Sequence, residues 1–381
     1  MAAEPALSAL RGPFPKRKLH ARLIAEALEN PGCGRRRVLD AAEVDLDRLG
    51  VLMGGPEAHQ SGFALRQGNT FERQVTDNGL AVVIDLVRKH LGFDIPHVRQ
   101  LDLSVEAVKL VHGSSENGLR VKLTRAELKR WLTGDPGAYN LLRHAMTSLR
   151  IGGTTVYLEQ DILAFMVGDQ LVVVEIKSFP AIDGRADPEK VGASARQSAV
   201  YVISLQETVT SLGFDPMRVS LRSLLILPMN FSFTASGHVV DLRAAVARLR
   251  RQLESTPAIE DILEGLPDDL VLPALPDKNA TAEQRRSAVT QAGETLSAIP
   301  PRFGEACVNC PLFTFCRGTE RLTGSTAQLG SAVSNACGDV GTVQAALDLA
   351  RGSRPARTAS ERALAEVLGR AAAIARRYGI A

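Results

Sequence analysis

The strongest constraint on this chain is the placement of four cysteines near its two ends. Cys33 lies in a Pro31-Gly32-Cys33-Gly34 loop, and Cys307, Cys310 and Cys316 form a C-x2-C-x5-C run. Such compact spacing lets three thiolates reach one metal or cluster, and a loop can bring a fourth. Ligation by all four would close a loop of nearly the whole chain and restrict the unfolded state. Four thiolates suit either Zn²⁺ or [4Fe–4S]. Zinc sites more often use two close C-x2-C pairs, whereas one such pair is present here. Cys337 is far from the run and reads as a buried thiol. Five cysteines, with no charged and then apolar leader at Met1 to Gly12, argue against structural disulfides and for a cytoplasmic protein.

At 381 residues the chain can bury a large core and form two or three lobes. Its 45% hydrophobic and 23% charged residues are those of an ordinary globular protein. No apolar run approaches the roughly 18 residues of a membrane span. The net charge of +3 says little about partners, but its distribution says more. Lys16, Arg17, Lys18, Arg22 and Arg35 to Arg37 cluster near one end, and seven arginines from Arg351 to Arg377 lie near the other. Such clusters suit phosphate tracking, or equally the solvated faces of Arg-rich helices.

Between the cysteines lies a second pattern. Thr155 to Lys177 reads as two strands around a Gly168-Asp169-Gln170 turn, and a long helix follows from about Pro188 to Leu212. Residues two apart on a strand share a face, so Glu175 and Lys177 face one way and Val172, Val174 and Ile176 the other. With a three-residue loop at 168–170, Asp161 pairs across from Lys177 and Glu175 is its diagonal neighbour. Gln160 interrupts the apolar phase, and a bulge there would change that register. Two carboxylates and an ammonium on one patch suit phosphodiester hydrolysis. The carboxylates hold Mg²⁺ or Mn²⁺, and the lysine orients water or stabilises the transition state. Gln197 and Tyr201 stand at i and i+4 on one face of the next helix, where they can reach a phosphate or base edge.

These residues resemble the PD-(D/E)XK nuclease superfamily, in its RecB-like branch. The resemblance rests on Asp161, Glu175-Ile176-Lys177 and Gln197-x-x-x-Tyr201, and covers about residues 68 to 205. It implies metal ligation by Asp161, Glu175 and the Ile176 carbonyl, catalytic assistance from Lys177, and DNA contacts from Gln197 and Tyr201. The same families open with a Gly-x-x-x-His or Glu helix, which Gly68 to Glu72 matches, with Glu72 as a further metal ligand. The one-plus-three cysteines resemble the iron–sulfur staple of CRISPR-associated RecB-like exonucleases and AddB-type nuclease domains. That resemblance favours [4Fe–4S] over zinc.

The expected fold is α/β, a mixed central sheet flanked by helices (a restriction-endonuclease-like core), with helical N- and C-terminal lobes joined by the cluster. Its parts are a helical segment at 1–66, a nuclease core at 67–255 with an insert at about 93–150, a linker and cysteine segment at 256–318, and an Arg-rich tail at 319–381. The expected activity is metal-dependent DNA cleavage, on single strands or ends. The alternative is a DNA-binding or scaffold subunit that does not cut. No Gly-x-x-x-x-Gly-Lys-Ser/Thr loop is present, so any helicase is a separate partner.

Overall fold

The computed structural model describes residues 3–57, 62–92, 98–167, 170–230 and 232–379. In chain order the first elements are α1 (Ala3–Arg11), α2 (Ala21–Leu28), α3 (Gly34–Ala41), α4 (Leu46–Leu52) and α5 (Gly62–Leu91). Next come β1 (Gln100–Asp102), α6 (Val105–His112), α7 (Asn117–Leu132), β2 (Leu141–Ile151), β3 (Thr154–Val167) and β4 (Gln170–Ile176). A small hairpin of β5 (Ala181–Ile182) and β6 (Arg185–Ala186) precedes α8 (Pro188–Ser211), β7 (Arg222–Pro228), β8 (Ala235–Asp241) and α9 (Arg243–Glu254). The remainder is helical: α10 (Ile259–Glu264), α11 (Ala282–Ala298), α12 (Phe313–Thr323), α13 (Ser331–Cys337), α14 (Val343–Arg351) and α15 (Ala359–Arg377). The fold is mixed α/β. None of the described helices is long and apolar enough to cross a membrane.

The chain divides into two compact units, one made of residues 1–17, 29–58 and 259–381, the other of 18–28 and 59–258. The sheet unit is the second of these. Its strands run in the order β1-β2-β3-β4-β7-β8, parallel at β1/β2 and β4/β7 and antiparallel elsewhere. Alternation along β4 explains the layering. Leu171 and Val173 join Leu142, Leu149 and Leu158 in a core against α2, α7, α8 and α9. Val174 and Ile176 point the other way and, with Leu224 and Ile226, meet Phe71, Val75, Val83 and Val87 of α5. Because helices cover both faces, β4 is a nearly continuous apolar run.

Several boundaries differ from those read off the sequence. Residues 93–150, expected to be an insert, supply β1 and β2 of the sheet itself. The 1–66 segment is divided, since α2 belongs to the sheet unit and the rest up to residue 58 to the helical unit. α5 runs from Gly62 to Leu91 and breaks at Asp77 to Leu80, where Asn78, Gly79 and Leu80 are left-handed.

In the helical unit, α1, α3, α4, α10 and α11 share a core centred on Leu39, Leu46, Leu49, Leu296 and Leu312. Gly50 of α4 has the Pro311 backbone beside it, and an added Cβ would stand 2.5 Å from the Pro311 carbonyl oxygen. That approach seats the Cys310-Pro311 turn on α4. Gly50→Ala is therefore expected to destabilise the protein by about 1–3 kcal/mol through overpacking. Urea unfolding indistinguishable from wild type would show that the turn is not held there.

Candidate functional site

The carboxylate–lysine pair lies at the end of β4. Glu175 follows Val173 on the α8 face of the sheet and is 4% exposed. A buried carboxylate is costly unless it is paired and hydrogen-bonded. Here Lys177 Nζ stands 2.5 Å from Glu175 Oε1, and Gln197 Nε2 donates to that same oxygen at 2.9 Å. Lys177 Nζ also donates to Gln197 Oε1 at 2.9 Å. Three side chains thus close a ring between the strand and α8. Gln197 Nε2 lies 3.5 Å from the Tyr201 hydroxyl, which donates to the Glu159 carbonyl of β3 at 3.0 Å. Gln197 and Tyr201, expected to reach a strand of nucleic acid, are both buried, with their polar ends turned into this network. Their geometry is that of residues that hold the carboxylate in place.

The Asp161 side chain lies outside the described residues, as does most of the expected 168–170 turn. The backbone register is nonetheless defined. Val167 pairs with Gln170, so only residues 168 and 169 separate the paired positions. The ladder shifts between Ile162 and Phe165, and Ile162 pairs with Val174. The paired positions end at Ile162 and Val174, one residue short of Asp161 on β3 and of Glu175 on β4. The sequence expectation had Asp161 across from Lys177; the shorter turn and the bulge change that.

Gly68 of α5 approaches the strand end, where an added Cβ would lie 3.3 Å from Ser178 Cβ, next to Lys177. Glu72 follows one turn later and is exposed. The Ile176 side chain is in the α5-side core.

Three residues of this neighbourhood, Arg120, His144 and Glu159, are not among those expected at the site. Arg120 of α7 is 1% exposed and donates to the carbonyls of Leu103 (2.8 Å) and His144 (2.9 Å) and to Glu159 Oε2 (2.9 Å). His144 Nδ1 lies 3.3 Å from Glu159 Oε1. The His144 hydrogen bond, assisted by Arg120 and opposed by burial, holds the Glu159 carboxyl down at about 2. The same bond raises the His144 imidazole above its usual value, with Asp102 adding to it and Arg143 opposing. Nothing in an Arg within a polar helix announces burial, so no pattern in the sequence would have found it.

All four expected cluster cysteines lie in the helical unit. Cys33 stands at the N-cap position of α3 without a side-chain cap hydrogen bond. Among the described residues, no three His, Cys, Asp or Glu side chains are gathered at metal-ligating distances. The donor set nonetheless fits thiolate ligation. Arg35 Nη1 donates to Cys316 Sγ at 2.9 Å, and Cys307 Sγ receives the Gly304 N–H at 3.3 Å and Asn30 Nδ2 at 3.6 Å. Burial pushes the Cys316 thiol up to about 11 and raises Cys307 and Cys310 as well, with Arg35 and Arg36 working against that rise at Cys316 and Cys310. N–H donors aimed at these sulfurs would stabilise thiolates against the burial that favours neutral thiols.

The Glu159–His144 pair predicts a pH dependence of stability. The carboxylate part is present above its ordinary value and lost as pH falls toward 2. The imidazole part is full below its ordinary value and lost as pH rises through its raised one. His144→Asn, which tolerates the same backbone, should remove the fall in melting temperature above about pH 6.5. A parallel fall in both proteins would sink this assignment.

No protein-family profile matches the chain, and no curated protein does. Among solved structures, one described as "Crystal structure of SSO0001" covers 62% of this chain and 94% of its own, at 11% identity and a TM-score of 0.21. A likeness at that score carries no argument about this protein.

Proposed function

We propose that the sheet unit is a Mg²⁺- or Mn²⁺-dependent deoxyribonuclease of RecB-like type, acting on single-stranded DNA or DNA ends. The observation that carries the reading is the buried Glu175, held by Lys177 and Gln197 on a strand paired with the one that carries Asp161. The six-stranded mixed sheet, with α5 on one face and α8 on the other, supports a restriction-endonuclease-like core.

In this reading Asp161, Glu175, the Ile176 carbonyl and Glu72 would hold the ion. Bound there, it supplies a water of lowered pKa and neutralises charge on the phosphate. Lys177 keeps an ammonium beside the carboxylate, available to the attacking water or a non-bridging oxygen. Gln197 fixes the Glu175 oxygen and the Lys177 ammonium relative to each other, and Tyr201 ties α8 to β3. Arg35, Arg36 and Arg37 are buried, so sequence-independent phosphate contacts would come from exposed basic residues such as Lys18, Arg22, Arg376 and Arg377. The four cysteines, Cys33, Cys307, Cys310 and Cys316, would hold a [4Fe–4S] cluster, with zinc as the alternative occupant. Its part is structural, tying the two ends of the chain within the helical unit.

End-labelled single- and double-stranded DNA, incubated with anaerobically purified protein, tests the activity. Cleavage is expected with Mg²⁺ or Mn²⁺, is abolished by EDTA, and falls by at least about 100-fold in Asp161→Ala and Lys177→Ala. DNA binding without cleavage under any metal would support the scaffold alternative. Iron and sulfide in equal amounts, lost in Cys316→Ser, are expected from the same preparation; stoichiometric zinc would overturn the cluster assignment.

A further inference from the structure

Glu159, His144 and Arg120 surround a defect in the sheet that the activity alone does not require. His144 is left-handed at φ 52°, an uncommon conformation for a residue inside a strand. Both strands slip phase at this step. Leu142 and Ala145 of β2 are three apart yet lie in the same core, and Leu158 and Ile162 of β3 are four apart yet lie in opposite cores. Without a slip, Ile162 would share the face of Leu158. The pairs on either side are Arg143 with Ile162 and Ala145 with Gln160, so His144 and Asp161 occupy one rung of the ladder. On its other edge β3 pairs with β4, where Ile162 stands opposite Val174, the residue before Glu175.

The hydrogen bonds around this rung run to backbone as well as side chain. Arg120 takes the carbonyl that the left-handed turn at His144 directs toward it, together with Leu103 O and the Glu159 carboxylate. Glu159 in turn accepts from the imidazole side, and its carbonyl takes the Tyr201 hydroxyl. A guanidinium fork is suited to such a fixed set of acceptors, and a lysine is not. A continuous chain of contacts therefore links Arg120, Glu159, Tyr201, Gln197 and Glu175.

We infer that Arg120, Glu159 and His144 are positioning residues: they lock the phase slip in β2 and β3 and thereby fix the stretch of β3 that carries Asp161 against β4, the strand of Glu175. The inference rests on the metal-site reading above and assigns these residues no contact with substrate. It predicts that loosening the lock weakens divalent-metal binding before it harms DNA binding. Partners that orient ligands from behind typically contribute about 10–100-fold in metal affinity.

The test is a Mn²⁺ titration of the full chain, read by loss of the free-ion electron paramagnetic resonance signal, beside DNA affinity and cleavage rate. The variants are Arg120→Lys, Glu159→Gln and His144→Asn, with Arg125→Ala on the same helix as control. Arg125 bonds Ser211 and takes no part in the lock. The three lock variants should need about 10-fold or more Mn²⁺ for half-saturation, with DNA affinity within about 2-fold and cleavage recovering at saturating Mn²⁺. The control should match wild type. If Arg120→Lys does not fold, the milder Glu159→Gln and His144→Asn carry the same comparison. Wild-type Mn²⁺ affinity in the folded variants would overturn the inference and leave the nuclease reading intact. If wild-type protein neither takes up Mn²⁺ nor cleaves, the nuclease reading fails and the inference falls with it.

Discussion

Glu175 sits where a carboxylate is least welcome, on a strand covered by helices on both faces. Taking an ion out of water costs several kcal/mol, which a single hydrogen bond does not repay. The chain meets that cost locally: Lys177 two residues on supplies the opposite charge, and Gln197 supplies the donor that fixes its geometry. The placement of α8 follows, because Gln197 must face β4 while Val200, Ile203 and Leu205 fill the core beside it. Tyr201 then carries the constraint to β3, and Arg120 carries it to β2 and α7. A sheet built for stability alone would place an apolar residue at position 175.

The helical unit shows the same tension around sulfur. Arg35 is buried and donates to Cys316, while Phe315 stacks beneath its guanidinium at 5.4 Å. A buried cation needs an anion, and a neutral thiol is a weak partner for it. Arg35 also donates to the Ile299 carbonyl and acts on the carboxylate of buried Glu320, so sulfur is one of several partners that meet its charge. Cys33 and the C-x2-C-x5-C run, remote in sequence, belong to this one unit, so a shared group there would join segments that the chain order separates.

Much of this was legible in the sequence because it was local. Alternation gave β4 and the shared face of Glu175 and Lys177, and the i, i+4 spacing put Gln197 and Tyr201 on one side of α8. The long helix from Pro188, expected to about Leu212, carries an Asp187 cap and a proline in its first turn. What was not legible depends on pairing. The β3/β4 register turned on a bulge that one strand's pattern does not locate. β2 was hidden because Arg143, His144 and Arg150 break its apolar rhythm, and β1 is only three residues long. The buried ends of Gln197 and Tyr201, and the role of Arg120, emerge only when strands three elements apart are brought together.

Under the proposed function, Glu175 is held buried in order to bind a divalent ion. The most direct measurement is a calorimetric Mn²⁺ titration of wild-type protein and Glu175→Gln at matched folded fraction. The account predicts saturable binding in wild type that is lost in the variant, which keeps the shape but not the charge. Equal Mn²⁺ binding by the two proteins, or none in wild type, would contradict it.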